Sequence, residues 1–384
     1  MRKIAVVGIA AILVTGLCSC SPRAELALGS SSPRLRAELS KLAADYSRSH
    51  GMSISLAETT TSSKATTISI DWAFARGADG SSPQRVVAPE KIAKAGIPMA
   101  PAFERWATGA ERKGWVEIPL LWDGWGLAGT PERLAKLGPS KTFAWKDRGA
   151  LRAAKLSLLA AGSDPGVLQS LFWLSSAVAF DPRAAGGVEL GTADRLAPSA
   201  RALFRAFSSL PREASFYPGC LRFAPGDIVN IAKGGGAFLL YGSYSWQRDM
   251  LPGRESRAFR PLAYPTVGGY AMPSSILAGR VRGNGASAAK AEDFLLWLLR
   301  PENQNKLSYE TGLMSINLNA SVLDPDEATA RNVAIGASDV IAVDPSPTGT
   351  GPSAAWAGLL GRMLASPAEW ERALSEAEAA KRKE

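Results

Sequence analysis

Histidine is almost missing: His50 is the only one in 384 residues, and cysteine occurs three times. That excludes the metal sites built on several imidazoles. A histidine-based catalytic triad would have to use His50, and nothing around it looks catalytic. The N-terminal apolar run, Ile4 to Leu17, has 14 residues and falls short of the roughly 20 that a spanning helix needs. Basic residues outnumber acidic ones, 44 to 35, but they are spread along the chain, and Lys381-Arg382-Lys383 is the one dense run. No nucleic-acid motif is recognisable, so nucleic acid is not an expected partner. What is present is globular: hydrophobic residues make up 46% and charged residues 21%. The length suits two domains of ordinary size with a sizeable core.

Arg2 and Lys3 before the apolar run read as a secretory signal over residues 1–19. Leu17-Cys18-Ser19-Cys20 resembles a lipoprotein box, with a leucine three places and a small residue one place before an acylated cysteine. Cys20 fits that role better than Cys18, which follows Leu17. The bland alternative is an ordinary signal peptide with two incidental cysteines. Lipidation at Cys20 would tether an exported protein to a membrane. Cys220 would then be the one remaining cysteine, with no intramolecular disulfide to form. It sits in the turn Tyr217-Pro218-Gly219-Cys220 and reads as a packed thiol.

Along the chain, 24–31 reads as a strand and 33–49 as a helix, with Leu35, Leu39, Leu42, Ala43 and Tyr46 at helical spacing. Met52–Leu56 alternates like a strand, Thr59–Thr67 is a loop, and Ile68 opens another strand. Such units predict a parallel sheet with right-handed crossovers. Residues 77–90 read as irregular. Val116–Leu121 reads as a strand that gives way to a turn at Trp122-Asp123-Gly124-Trp125-Gly126. Asp164-Pro165 is a helix N-cap and first-turn pair. Further helices are expected over 198–209, 286–300, from Pro301 onward, and over 367–381. Gly226–Lys233 reads as a helical turn, Gly234-Gly235-Gly236 as a break, and Ala237–Tyr241 as a buried strand. The glycine triplet beside Lys233 lacks the spacing of a phosphate-binding loop.

Three stretches carry a family resemblance. Ala288–Asn317 resembles a pattern in which a helix ends in an apolar run, here Phe294-Leu295-Leu296-Trp297-Leu298. It continues with "Ser-Pro-Glu-x-Gln", here Arg300-Pro301-Glu302-Asn303-Gln304, and then "Thr-Gly-x-x-Pro-x-Asn", here Thr311 to Asn317. Ala232–Trp246 is similar to "Gly-Lys-x-Ala-Met-x-x-Asn-Gly-x-Trp", with Tyr244 at the tryptophan. Glu117–Gly126 is similar to a "Gly-x-Pro" strand that first crosses between lobes. In this order they resemble the extracellular sugar-binding class of solute-binding proteins of bacterial ABC importers, over about 300 residues. The chain departs from the pattern where Ser315 replaces the usual proline and where Thr59–Thr67 leaves little room for the usual early helix.

The resemblance implies an α/β periplasmic-binding-protein type II fold, two doubly wound lobes with a ligand cleft between them. Crossovers are then expected near Ile118, Gly268 and residue 320. One lobe would hold 21–117 and 268–320, the other 118–267 and 321–384. It also implies a monomer that is not an enzyme, needs no cofactor or metal, captures a small solute of the sugar class, and delivers it to the permease subunits. Flat rings suit the C–H face of a sugar, and charged side chains suit its hydroxyl rim. Tyr244 inherits the stacking position from the motif, and Trp356 resembles the aromatic of the family's late helix. The residues themselves add Trp72, Trp122, Trp125 and Trp246 as aromatic candidates, and Asp71, Arg76 and Asp123 as hydroxyl partners. Each has a core or surface reading beside it. Trp173, Trp297 and Trp370 lie in helical patterns and read as packing residues. Two other classes stay open: a non-sugar solute (sugar or glycerol phosphate, polyamine, metal chelate), and an adhesin or structural lipoprotein that keeps the fold.

Overall fold

A computed structural model describes residues 23–28, 33–57, 66–72, 87–108, 115, 117–176, 207–213, 215–250, 258–263, 270–271, 273–322, 325–336, 339–340, 360–362 and 364–366. The signal and lipidation calls, including Cys18 and Cys20, fall outside these residues, as do Arg76, Trp356, Trp370, Gly268 and the helix expected over 367–381. Among the described residues no helix is long and apolar enough to cross a membrane.

The strands in chain order are β1 (Arg23–Leu28), β2 (Ser53–Ala57), β3 (Thr66–Trp72), β4 (Ile118–Gly129), β5 (Phe143–Ala144), β6 (Ser157–Ala160), β7 (Phe238–Ser243), β8 (Ala258–Ala263), β9 (Tyr270–Ala271), β10 (Pro273–Arg282), β11 (Met314–Ser315) and β12 (Asp339–Val340). One mixed sheet runs in the order β2-β1-β3-β10-β4-β7-β6, with β11 and β8 also paired to β4 and β5 paired to β8. The expected parallel pairs are there, β1 with β2 and β3, and β6 with β7 is a further one that the sequence did not point to. The sheet is not parallel throughout, because β10 lies antiparallel to both β3 and β4.

The helix Pro33–His50 buries the stripe Leu35, Leu39, Leu42, Ala43 and Tyr46 that its periodicity predicted. The phenol of Tyr46 stacks on His50 at 4.1 Å, and burial raises its pKa to about 12. The helix Gly285–Leu298 lies on β10, β3 and β1. Its Leu295 comes so close that a Cβ on Gly279 would stand 2.5 Å from it. Pro225–Lys233 is a full helix rather than a single turn. The helix Pro89–Ala95 begins inside the stretch expected to be irregular. Of the helix expected over 198–209, residues 207–209 are described and helical. Cys220 is buried, and burial lifts its thiol pKa to about 11.

One correction matters for the site. There is no turn at Trp122–Gly126: β4 runs unbroken for 12 residues, every one buried. Glycine there answers close approach rather than chain reversal. A Cβ on Gly126 would meet Phe259 at 2.4 Å and the Arg260 carbonyl at 2.7 Å. Pro119, which cannot donate to a ladder, sits beside a bulge where the register with β10 shifts between Leu277 and Ala278; bulges are where a strand tolerates proline.

β4 also changes partners along its length. Ile118 to Gly124 pairs with β10, and Leu121 and Trp122 with β11. Trp125 to Ala128 pairs with β7, and Gly126 to Gly129 with β8. The sheet thus has two halves joined through one strand, with the change falling between Gly124 and Trp125.

Candidate functional site

Strands from both halves run with their carboxyl ends toward this change of partner. In the first half, β3 closes with Asp71 and Trp72, opposite Ala278 and Leu277 of β10. In the second half, β6 ends at Ala160, and the chain turns through Gly162, Ser163 and Asp164 into the helix Pro165–Ser176. The neighbouring β7 ends at Ser243, opposite Trp125, and leads straight into the helix Tyr244–Met250. The carboxyl ends of strands at a switch in sheet order are where open α/β sheets bind ligands.

Trp125 stands at the centre. It is 7% exposed, and its ring stacks on Tyr241. Its outer edge faces Gly166, where a Cβ would lie 3.6 Å from the indole. That is ordinary contact, so the first turn of the helix rests against the ring. Asp164 caps that turn, accepting from the Val167 N–H at 3.0 Å, as Asp-Pro predicted. The Tyr241 hydroxyl donates to Ser170 Oγ at 2.6 Å. Trp125 Nε1 and both amide atoms of the buried Gln169 have no partner among the described residues. Buried polar groups are ordinarily hydrogen-bonded.

The remaining candidates divide. Trp122 is 5% exposed and packs on Phe103, with ring centroids 5.3 Å apart. Tyr244 is buried and meets Phe259 edge to face at 4.4 Å. Trp246 is half-buried and lies across Gly242. Asp71 is half-buried at the end of β3; of Trp72 only the backbone is described. Asp123 is buried. It accepts from the backbone N–H of Ser245 at 3.1 Å and of Gly124 at 3.0 Å, and from the Ser245 hydroxyl. Burial pushes its carboxyl pKa up, and these hydrogen bonds pull against that rise. The structure therefore gathers Trp122, Asp123, Trp125, Tyr244 and Trp246 around the partner change.

Reading the sequence missed Tyr241, Gln169, Ser170 and Ser245. Tyr241 looked like one more residue of a buried strand, and the other three have no spacing that marks them. No group of His, Cys, Asp and Glu able to hold a metal occurs among the described residues, and Cys220 lies in the interior beside the Leu158 carbonyl.

No sequence-family description and no curated relative matches the chain. Solved structures do. The chain is similar to the binding protein MsmE from Bacillus subtilis in an open conformation, with a TM-score of 0.71 at 13% identity, over 95% of this chain and 98% of that one. It has the fold of the type II periplasmic binding proteins. The solute receptor AcbH, described as exclusive for β-D-galactopyranose, matches this binding-protein fold with a TM-score of 0.72 at 13% identity, over 94% and 97% of the two chains. The GacH receptor of Streptomyces glaucescens, solved unliganded and with acarbose, matches with a TM-score of 0.61 at 13% identity, over 94% and 98%. These neighbours are binding proteins rather than enzymes.

Proposed function

We propose that this protein is a solute receptor that captures a carbohydrate between two lobes and presents it to an ABC permease. The observation that carries the reading is the convergence of strand ends from both halves of the sheet on the Trp125 segment of β4. The sugar and oligosaccharide receptors that share the fold over nearly their whole length support it. The lobes would be 21–117 with 268–320, and 118–267 with 321–384, meeting at β4.

In this reading the open lobes admit the sugar. An indole face covers its apolar side, and unpaired N–H and amide groups near Tyr241 take hydroxyls as the lobes close. The protein would act as an exported monomer held to a membrane through Cys20. Capture of this kind works at micromolar affinity, about −8 kcal/mol.

A thermal-shift panel on the purified protein tests it, with mono- and oligosaccharides, sugar phosphates, polyamines and amino acids. A ligand at a hundred times its dissociation constant adds about 2.7 kcal/mol of stability. A saccharide response that Trp125→Phe weakens supports the reading. A response confined to polyamines or amino acids overturns the substrate, and silence from folded protein overturns capture.

A further inference from the structure

The helix Tyr244–Met250 belongs to the second half of the sheet. Gln247 Nε2 donates to the carbonyls of Gly126 at 2.8 Å and Leu240 at 2.7 Å, and Trp246 packs on Gly242. Yet two of its residues reach the first half. Ser245 is held by Asp123, which lies on β4 before the change of partner, opposite Ser275 of β10. One turn on, Arg248 reaches the first half as well. Its Nη2 donates to the Tyr309 carbonyl at 3.4 Å. Its guanidinium lies over Gly312, where a Cβ would stand 2.6 Å from Nη1 and 3.1 Å from Cδ and Cζ.

Tyr309 and Gly312 form the C-terminal end of the helix Pro301–Thr311, with Gly312 in the left-handed cap position at φ 74°. That helix packs on Pro33–His50 and β11 in the first half. A cation over the carbonyl end of a helix is favourable, and the glycine leaves room for the guanidinium to lie flat.

We propose that Arg248 is a positioning residue: with Asp123 it braces the short helix across the joint between the two halves and sets the resting angle between them. The proposal rests on reading those halves, divided between Gly124 and Trp125 rather than at Ile118, as lobes that move. The helix is thus tied into both halves, Ser245 and Arg248 to the first and Tyr244, Trp246 and Gln247 to the second. Such a helix must break or re-form its outer ties whenever the lobes rotate. Losing the Arg248 tie shifts the balance of lobe arrangements without touching the indole stack.

The experiment uses the full chain without added ligand, so it does not depend on the carbohydrate reading. Spin labels on p-acetylphenylalanine replace Lys41, exposed in the first half, and Lys136, exposed in the second. Pulsed electron resonance then gives the distance distribution between them. Arg248→Ala shifts or broadens it, and Arg248→Lys, which keeps a donor, restores part of the parent profile. Arg133→Ala is the control. It removes a contact of similar kind inside the second half, a cation over Phe238 at 5.3 Å, and leaves the profile unchanged. A profile for Arg248→Ala that superimposes on the parent overturns the proposal. So does an equal change in Arg133→Ala, which would mean general loosening. If Arg248→Ala fails to fold, the Arg248→Lys profile carries the decision.

Discussion

The rings of Trp125 and Tyr241 lie parallel, with centroids 5.8 Å apart and 8° between their planes. One ring sits on the strand that joins the two halves of the sheet and the other on its neighbour β7. The phenol is fixed in turn: its hydroxyl donates to Ser170, whose own hydroxyl donates to the Val167 carbonyl at 2.7 Å. The indole is therefore held in place before any ligand arrives, and rigidity of this kind reduces the ordering cost of binding.

Trp125→Ala should cost about 3–5 kcal/mol of stability, the usual range for emptying a buried tryptophan site. Trp125→Phe should cost less than about 1.5 kcal/mol. It keeps the stack with Tyr241 and deletes an N–H whose burial without a partner is unfavourable. Urea denaturation of the three proteins decides. A loss above about 3 kcal/mol for the phenylalanine variant would mean that Nε1 has a strong partner in solution.

Cys220 should be inert in the folded protein. Its thiol is buried with a pKa raised to about 11, so little thiolate exists at pH 8. A chromogenic disulfide reagent should modify it only after urea is added. The readout is a variant with Cys18 and Cys20 replaced, so that Cys220 is the one thiol. Rapid modification without urea would mean that the segment Tyr217–Phe223 opens readily.

Where local rules governed, the sequence was legible. The helix Pro33–His50, the Asp164 cap and the parallel pairs around β1 all follow from spacing and capping residues. The family-like motif also proves structural. Gln304 Oε1 accepts from the Ser315 hydroxyl at 2.9 Å and from Ile316 N at 3.1 Å, while Asn317 Nδ2 donates to the Leu299 carbonyl at 2.7 Å. Those side chains knot two helices to β11, and Ser315 joins the knot in the place of the usual proline. The site was less legible. Gly124 and Gly126 carry a turn signal, and only the approach of Phe259 and Met314 shows why glycine is there. Ser245 gains meaning from Asp123, 122 residues away, which no local pattern encodes.

Gly312→Ala should cost about 1–2 kcal/mol, from the left-handed φ of 74° and the displaced guanidinium together. In an Arg248→Ala background the second contribution is gone, so the same change should cost about 1 kcal/mol. A double-mutant cycle by chemical denaturation measures the difference. Strict additivity would show that Arg248 does not rest on Gly312 in solution.

Asp123 gives the pH dependence a definite sign. Burial raises its carboxyl pKa above the ordinary 3.8, so the folded state holds this proton more tightly than the unfolded chain does. Its contribution to stability is then fully present below the ordinary value and is lost as pH rises through the raised one. Asp123→Asn cannot titrate. The stability of the parent minus that of the variant should therefore be greatest near pH 4 and fall toward neutrality. Other carboxylates cancel in that difference, because both proteins carry them. Denaturant titrations of the pair between pH 4 and pH 8 measure it. A difference that rises with pH would mean that the hydrogen bonds from Ser245 and Gly124 outweigh burial and hold the carboxylate charged.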